Sequence, residues 1–117
     1  QAFGYSIDAG GRSIVISGDT APSEEILKAC RGCDVLIHEV YSEDRFNIVL
    51  GPERGSYHTM FHTSTKQLAE IAAKSKPKLL VLYHQVYFGQ RDEVDLEKEI
   101  RRTYGGNVVN GRDLTAY

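Results

Sequence analysis

No block of lysine and arginine interrupts these 117 residues, whose formal net charge is −2. Composition therefore supplies no footprint for a nucleic-acid backbone, although a nucleic acid bound through a surface elsewhere stays open. No apolar run approaches the roughly 20 residues that a membrane span needs, and no segment reads as a signal peptide. Solenoid-period repeats and low-complexity tracts are absent as well. Cysteine is scarce: Cys30 and Cys33 form a lone C-R-G-C. A structural zinc would want a second pair or nearby histidines. A redox pair usually sits at a helix start, where the dipole acidifies a thiol, whereas this pair falls where a helix should end, beside Gly32. Two ordinary reduced thiols are expected, as in a cytoplasmic protein.

What remains is ordinary globular material, 41% hydrophobic and 26% charged. A chain of this length buries about two thirds of its unfolded surface, enough for one core. The run Phe3–Ser17 predicts a hairpin turning at Ala9-Gly10-Gly11, because glycine supplies the positive φ of tight turns. Pro22 and Ser23 open a helix that runs to about Cys30, with Gly32 as its C-terminal cap. Val35-Leu36-Ile37 has the continuous apolar pattern of a buried strand, ending at His38-Glu39. Val40–Phe61 has no clear period and is expected as a long functional loop. Ser64 and Gln67 form a capping box for a helix over Thr65–Lys74. Leu79–Leu82 predicts a second buried strand, ending at Tyr83-His84. Asp92 is expected to cap a last helix through about Tyr104, and Asn107–Val109 and Leu114–Ala116 to close the chain as short strands. The order β-β-α-β-α-β-α-β-β defines an α/β fold with parallel neighbours.

Placed on that order, the ionisable groups gather. Asp19, His38-Glu39 and His84 each follow a strand, and His62 stands just before the helix opened by Ser64. Open α/β sheets bind ligands beyond the carboxyl ends of their strands, so these residues converge on one edge. Each also has a plainer reading. Asp19 is either an Asx turn or a metal-ligating carboxylate released from the strand by Gly18. His84 is either a hydrogen-bonded histidine or a neutral imidazole ligand for zinc. His38 and Glu39 are either a structural pair or a device that orients and charges a proton-donating histidine.

The blocks I-S-G-D-T, L-I-H-E-V, F-H-T-S-T-K-Q-L-A and L-V-L-Y-H occur in this order and at these separations. Together they resemble the second half of the metallo-β-lactamase fold, nearest to the ribonuclease Z-like hydrolases, over essentially all 117 residues. The resemblance implies half of a four-layer αββα sandwich. It also implies two metal ions, usually zinc, bridged by Asp19, with His84 as the last histidine ligand of one. His38-Glu39 matches the family's His-Glu block, and His62-Thr63-Ser64 its His-Ser-Thr block. By that match His62 is the proton donor to the leaving oxygen, held by Glu39, while a hydroxide between the metals attacks a phosphodiester or related ester. His58, four residues before His62, receives no role. It reads as a loop histidine, and its spacing from His62 as an accident.

The family's first half, with its His-x-His-x-Asp-His run, has no counterpart here. The expectation is a fragment, residues 1–117 being a C-terminal half-domain, whose bare sheet face pairs with another copy or with the missing N-terminal half. An isolated chain of this kind is expected to be inactive, an assembly or folding unit. After His84 the sequence continues H-Q-V-Y-F-G-Q-R rather than with the Ser-rich, Arg-Tyr stretch typical of ribonuclease Z. That departure favours the broader phosphodiesterase-like hydrolases, with Arg91 as a candidate phosphate contact.

Overall fold

The computed structural model describes residues 2–50, 56–91 and 94–117. Their polypeptide forms a five-stranded sheet: β1 (Tyr5–Ala9), β2 (Arg12–Ile16), β3 (Val35–Tyr41), β4 (Leu79–Val86) and β5 (Val108–Asn110). The strands lie side by side in chain order; β1 and β2 are antiparallel and the later pairs parallel. The hairpin turns where its glycines predict. Ala9 pairs with Arg12, and the two residues between, Gly10 and Gly11, have φ of 57° and 73°. Positive φ at both central positions gives the backbone twist that matches the twist of the strands.

Three helices fill the parallel crossovers: α1 (Glu24–Ala29), α4 (Thr65–Ser75) and α5 (Leu96–Arg101). With strands in sequential order and crossovers of one hand, every crossover helix falls on the same face of the sheet. The core lies there. Val15, Leu36, Val40, Leu80, Leu82 and Val108 from the strands meet Ile26, Leu68, Ala72, Leu96 and Ile100 from the helices. By the two-residue alternation of strands, Ile14, Ile16, Val35, Ile37, Leu79 and Val109 point the other way. Among the described residues no helix covers them, and they stay half-buried. A hollow of about 1080 Å³ runs over Val35, Ile37, Leu79 and Val81 towards His84.

Several boundaries differ from the sequence expectation. The segment expected as a loop contains two short helices, α2 (Glu43–Val49) and α3 (Ser56–Phe61). Ser42 caps α2 by accepting from the Arg45 N–H, and Glu43 and Asp44 occupy its first turn. Phe46 alone is buried on α2, so an apolar stripe could not mark it. Both central strands run past their expected ends, β3 to Tyr41 and β4 to Val86. The closing strand Leu114–Ala116 does not form. Gly111 makes a last backbone bond to the Leu82 carbonyl, after which the chain turns away and Leu114 is fully exposed. The last helix starts at Leu96, its N-cap being Asp95, which accepts from the Lys98 N–H at 2.9 Å; Asp92 lies outside the described residues.

The cysteines also depart from expectation. Cys30 and Cys33 form a disulfide, both nearly solvent-free. Cys30 caps the end of α1, and Gly32, at φ 75°, folds the chain so that the two Cα atoms stand 4.8 Å apart, within bridging range. The premise of two reduced thiols is thereby removed. Among the described residues no helix is long and apolar enough to cross a membrane.

Candidate active site

The site assembles at the carboxyl edge of β2, β3 and β4. After β2 the chain turns at Gly18, whose φ is 66° and where a side chain would collide with the Phe3 carbonyl. Only glycine suits such a corner, and it delivers Asp19 to the edge, half-exposed. On β4 the register slips: Tyr83 pairs with Glu39 and Gln85 with Val40, so His84 is the extra residue of a β-bulge. Its φ of 42° lies in the left-handed region, which histidine tolerates better than most residues. Bulges re-aim side chains next to functional sites. The outcome is His84 Nε2 at 3.8 Å from Asp19 Oδ2, both side chains about half-exposed.

Glu39 sits beside them, fully buried within β3. Its Oε1 accepts from the Thr63 N–H at 2.8 Å and the Thr20 N–H at 3.4 Å. The Thr63 hydroxyl donates to the Thr20 carbonyl at 2.7 Å, so the turn carrying Asp19 is tied to the turn carrying His62. The other oxygen of Glu39, Oε2, faces His62 Nδ1 at 3.4 Å, and both atoms otherwise lack a hydrogen-bond partner. Catalytic hydrogen bonds are often this long before substrate arrives. Burial pushes the Glu39 carboxyl up to about 7 against the pull of the Thr63 and Thr20 amides. Burial also lowers His62, with Asp19 pulling the other way. Burial thus disfavours the charged form of both partners of the pair.

The structure brings together Asp19, Glu39, His62 and His84; the His62 and His84 rings are 5.9 Å apart. It does not bring His38 to them. Strand alternation turns His38 to the core face, where it is fully buried, and its Nδ1 bonds the Glu39 backbone carbonyl at 2.7 Å. The spacing of His58 from His62 reads as an accident in the sequence, yet His62 directly follows α3 and the two rings lie near one another, with centroids 5.8 Å apart and the His62 backbone N–H donating to the His58 carbonyl. The missed signal was the short helix itself. Sequence reasoning also passed over Phe88, whose ring packs edge-on against His58 at 5.0 Å. Arg91 lies over the Tyr87 ring at 5.6 Å.

Asp19 and His84 suit a zinc ion in kind, a carboxylate oxygen and an imidazole nitrogen turned towards one another. They do not suffice in number, since catalytic zinc sites usually take three protein ligands. Among the described residues no group of three or more His, Cys, Asp or Glu could hold a metal ion.

Residues 1–85 match the family described as "Beta-lactamase superfamily domain", and the chain belongs to it. Curated relatives that it resembles include ribonucleases Z. It is 36% identical to that of Gemmatimonas aurantiaca over 105 residues, 90% of this chain and 31% of the relative. It is 34% identical to that of Bacillus subtilis over 100 residues, 85% of this chain and 30% of the relative. The chain thus spans about a third of the length of the curated relatives it matches. In fold it resembles the metallo-β-lactamase fold protein YhfI of Bacillus subtilis, with a TM-score of 0.70 at 22% identity, over 92% of this chain and 40% of that one. The short form of human tRNase Z gives a TM-score of 0.62 at 23% identity, over 96% and 36%. The half-sandwich expectation and the α/β class agree with these metallo-β-lactamase-fold neighbours.

Proposed function

We propose that this chain contributes the second half of the active site of a metal-dependent hydrolase, ribonuclease Z-like, that cleaves a phosphodiester or related ester. The observation that carries the proposal is the Glu39–His62 pair, opposed across 3.4 Å beside the Asp19–His84 pair. In this reading His62 gives a proton to the leaving oxygen. Glu39 orients the ring through Nδ1 and stabilises its charged form, while the Thr63 amide keeps the carboxylate in place. Asp19 and His84 belong to the metal shell, which a complementing segment completes. His38 anchors β3 from behind and takes no part in proton transfer. When bound, the metal, zinc by family analogy, acidifies water and neutralises phosphate charge.

The bare face of the sheet supports a companion proposal: a second copy of this chain, or the complementing half, packs against Ile16, Ile37 and Val81. RNA is a candidate substrate because the curated relatives are named as ribonucleases Z. A second reading, an inert half-domain acting only in assembly, is favoured by the shortage of metal donors among the described residues.

Metal analysis combined with hydrolysis of bis-p-nitrophenyl phosphate separates the two, using the chain alone and the chain with its complementing half. The enzymatic reading expects metal and turnover in the assembled protein. There His62→Ala should lower kcat about 10²–10⁴-fold with metal content unchanged, and Asp19→Asn should lower metal content and rate together. Full metal content in Asp19→Asn removes that ligand assignment. Metal-free, inactive assemblies favour the inert reading.

A further inference from the structure

The proposed chemistry makes no use of Glu99, a carboxylate on α5 that is only 8% exposed and flanked by the core residues Leu96 and Ile100. A buried carboxylate needs donors, and Glu99 has two from distant parts of the chain. Ser42 Oγ donates to Oε1 at 2.7 Å and Thr65 Oγ1 to Oε2 at 2.7 Å. With its proton committed in this way, each hydroxyl offers its lone pairs to the backbone. Ser42 Oγ accepts from the Arg45 N–H at 3.1 Å, and Thr65 Oγ1 from the Glu43 N–H at 3.3 Å. One carboxylate therefore sets the direction of four hydrogen bonds.

Ser42 and Thr65 stand at matching places. Ser42 lies three residues after Glu39, and Thr65 three residues after His62. Between them the two segments run side by side. The Tyr41 N–H donates to the Thr63 carbonyl at 3.0 Å, Tyr41 bridges Ser64 in parallel, and the Thr63 N–H donates to Glu39. Glu39 closes this short ladder at the end facing the site. Glu99 closes it at the far end.

We propose that Glu99 is a positioning residue for the Glu39–His62 pair: through Ser42 and Thr65 it clamps the segments that carry them. The proposal rests on the reading of that pair as a proton-transfer device. Glutamine is a poor substitute for the carboxylate, because its amide nitrogen would donate to one of the two hydroxyls, whose own proton then loses its acceptor and must point elsewhere, so that arm of the clamp is no longer held in one direction. Small displacements of catalytic groups cost rate out of proportion to stability.

The test compares Glu99→Gln, Thr65→Val and Thr65→Ser with Ile100→Val, a core change one residue along α5. Three quantities are read: kcat and KM for bis-p-nitrophenyl phosphate in the assembled hydrolase, the exchange rate and chemical shift of the Thr63 amide by NMR, and the denaturant midpoint. Glu99→Gln and Thr65→Val should each lower kcat about tenfold or more at nearly constant KM and speed Thr63 amide exchange by a similar factor. Thr65→Ser, which keeps the hydroxyl, should match the wild type, and Ile100→Val should lose stability alone. If Glu99→Gln and Thr65→Val behave as Ile100→Val does, the clamp is wrong. Should Glu99→Gln fail to fold, Thr65→Val against Thr65→Ser decides. A wild type without turnover defeats the proton-transfer reading, whereas an unperturbed Thr63 amide in the variants defeats the clamp.

Discussion

Two neighbours on β3 respond to burial in opposite senses. The His38 ring is held down to about 4 by desolvation, partly offset by its bond to the Glu39 carbonyl, and Glu39 is held up to about 7. The unfolded chain protonates histidine below its ordinary 6.5 while the folded one stays neutral, so His38 costs stability as pH falls from about 6.5 to about 4. Glu39 does the reverse. Unfolded, it ionises above about 4.5; folded, it holds its proton, so stability falls as pH rises from about 4.5 to about 7. Urea midpoints between pH 4 and 8 should separate the two. Glu39→Gln should remove the loss towards neutrality, and His38→Leu should reduce the acid-side loss, leaving the part that the lowered His62 contributes. Identical profiles for wild type and both variants would contradict this assignment. At this scale the sequence was legible in part. Asp19, Glu39, His62 and His84 stand out because each interrupts or follows an apolar run. That His38 turns inward follows from alternation once β3 is known to continue through Glu39. The bulge at His84 has no such signature, since it depends on the count of residues relative to a partner strand.

Among the elements, α4 was the most legible because local chemistry and periodicity agree. Ser64 accepts from the Gln67 N–H at 3.2 Å, Gln67 Oε1 accepts from the Ser64 N–H at 3.0 Å, and Leu68, Ile71 and Ala72 are buried. The Ser64 hydroxyl further donates to Glu43 Oε2 at 2.7 Å, joining α4 to α2. Ser64→Ala should therefore cost about 1–2 kcal/mol, at the upper end for an N-cap. Ser23→Ala on the exposed start of α1 should cost less. Equal urea midpoints for the two variants would show that the link to Glu43 adds nothing. Helices α2 and α3 escaped notice for a physical reason. With seven and six residues, neither presents two turns of apolar stripe, and each is held by its contacts rather than by its own pattern. The disulfide escaped similarly, because a C-R-G-C spacing is compatible with bonded and free thiols until the Gly32 turn is seen.

On the scale of the molecule, the fold is one-sided. Sequential strands put the crossover helices on one face and leave an apolar surface on the other, with Tyr5 61% and Ile7 47% exposed on the edge strand β1. Surfaces of this kind mark missing partners. Light scattering at micromolar concentration should find the isolated chain associated. Lysine at Ile37 and Val81 should make it monomeric while its helical circular dichroism is retained. A wild-type monomer that binds no hydrophobic dye would contradict the open face. This feature was legible only through the family resemblance, since half-buried and fully buried strands look alike in a short apolar run.

The extra residue at His84 also makes the length of β4 part of what the sequence encodes. Between Tyr83 and Gln85 the strand carries one residue more than its partner needs. Deleting that residue would let Gln85 follow Tyr83 in even step with β3, and the pairing would close without interruption. The shortened chain would have a more regular sheet, and Asp19 would lose the His84 imidazole that now stands 3.8 Å away. Here a gap of a single position decides whether the His84 imidazole reaches the edge where Asp19 stands.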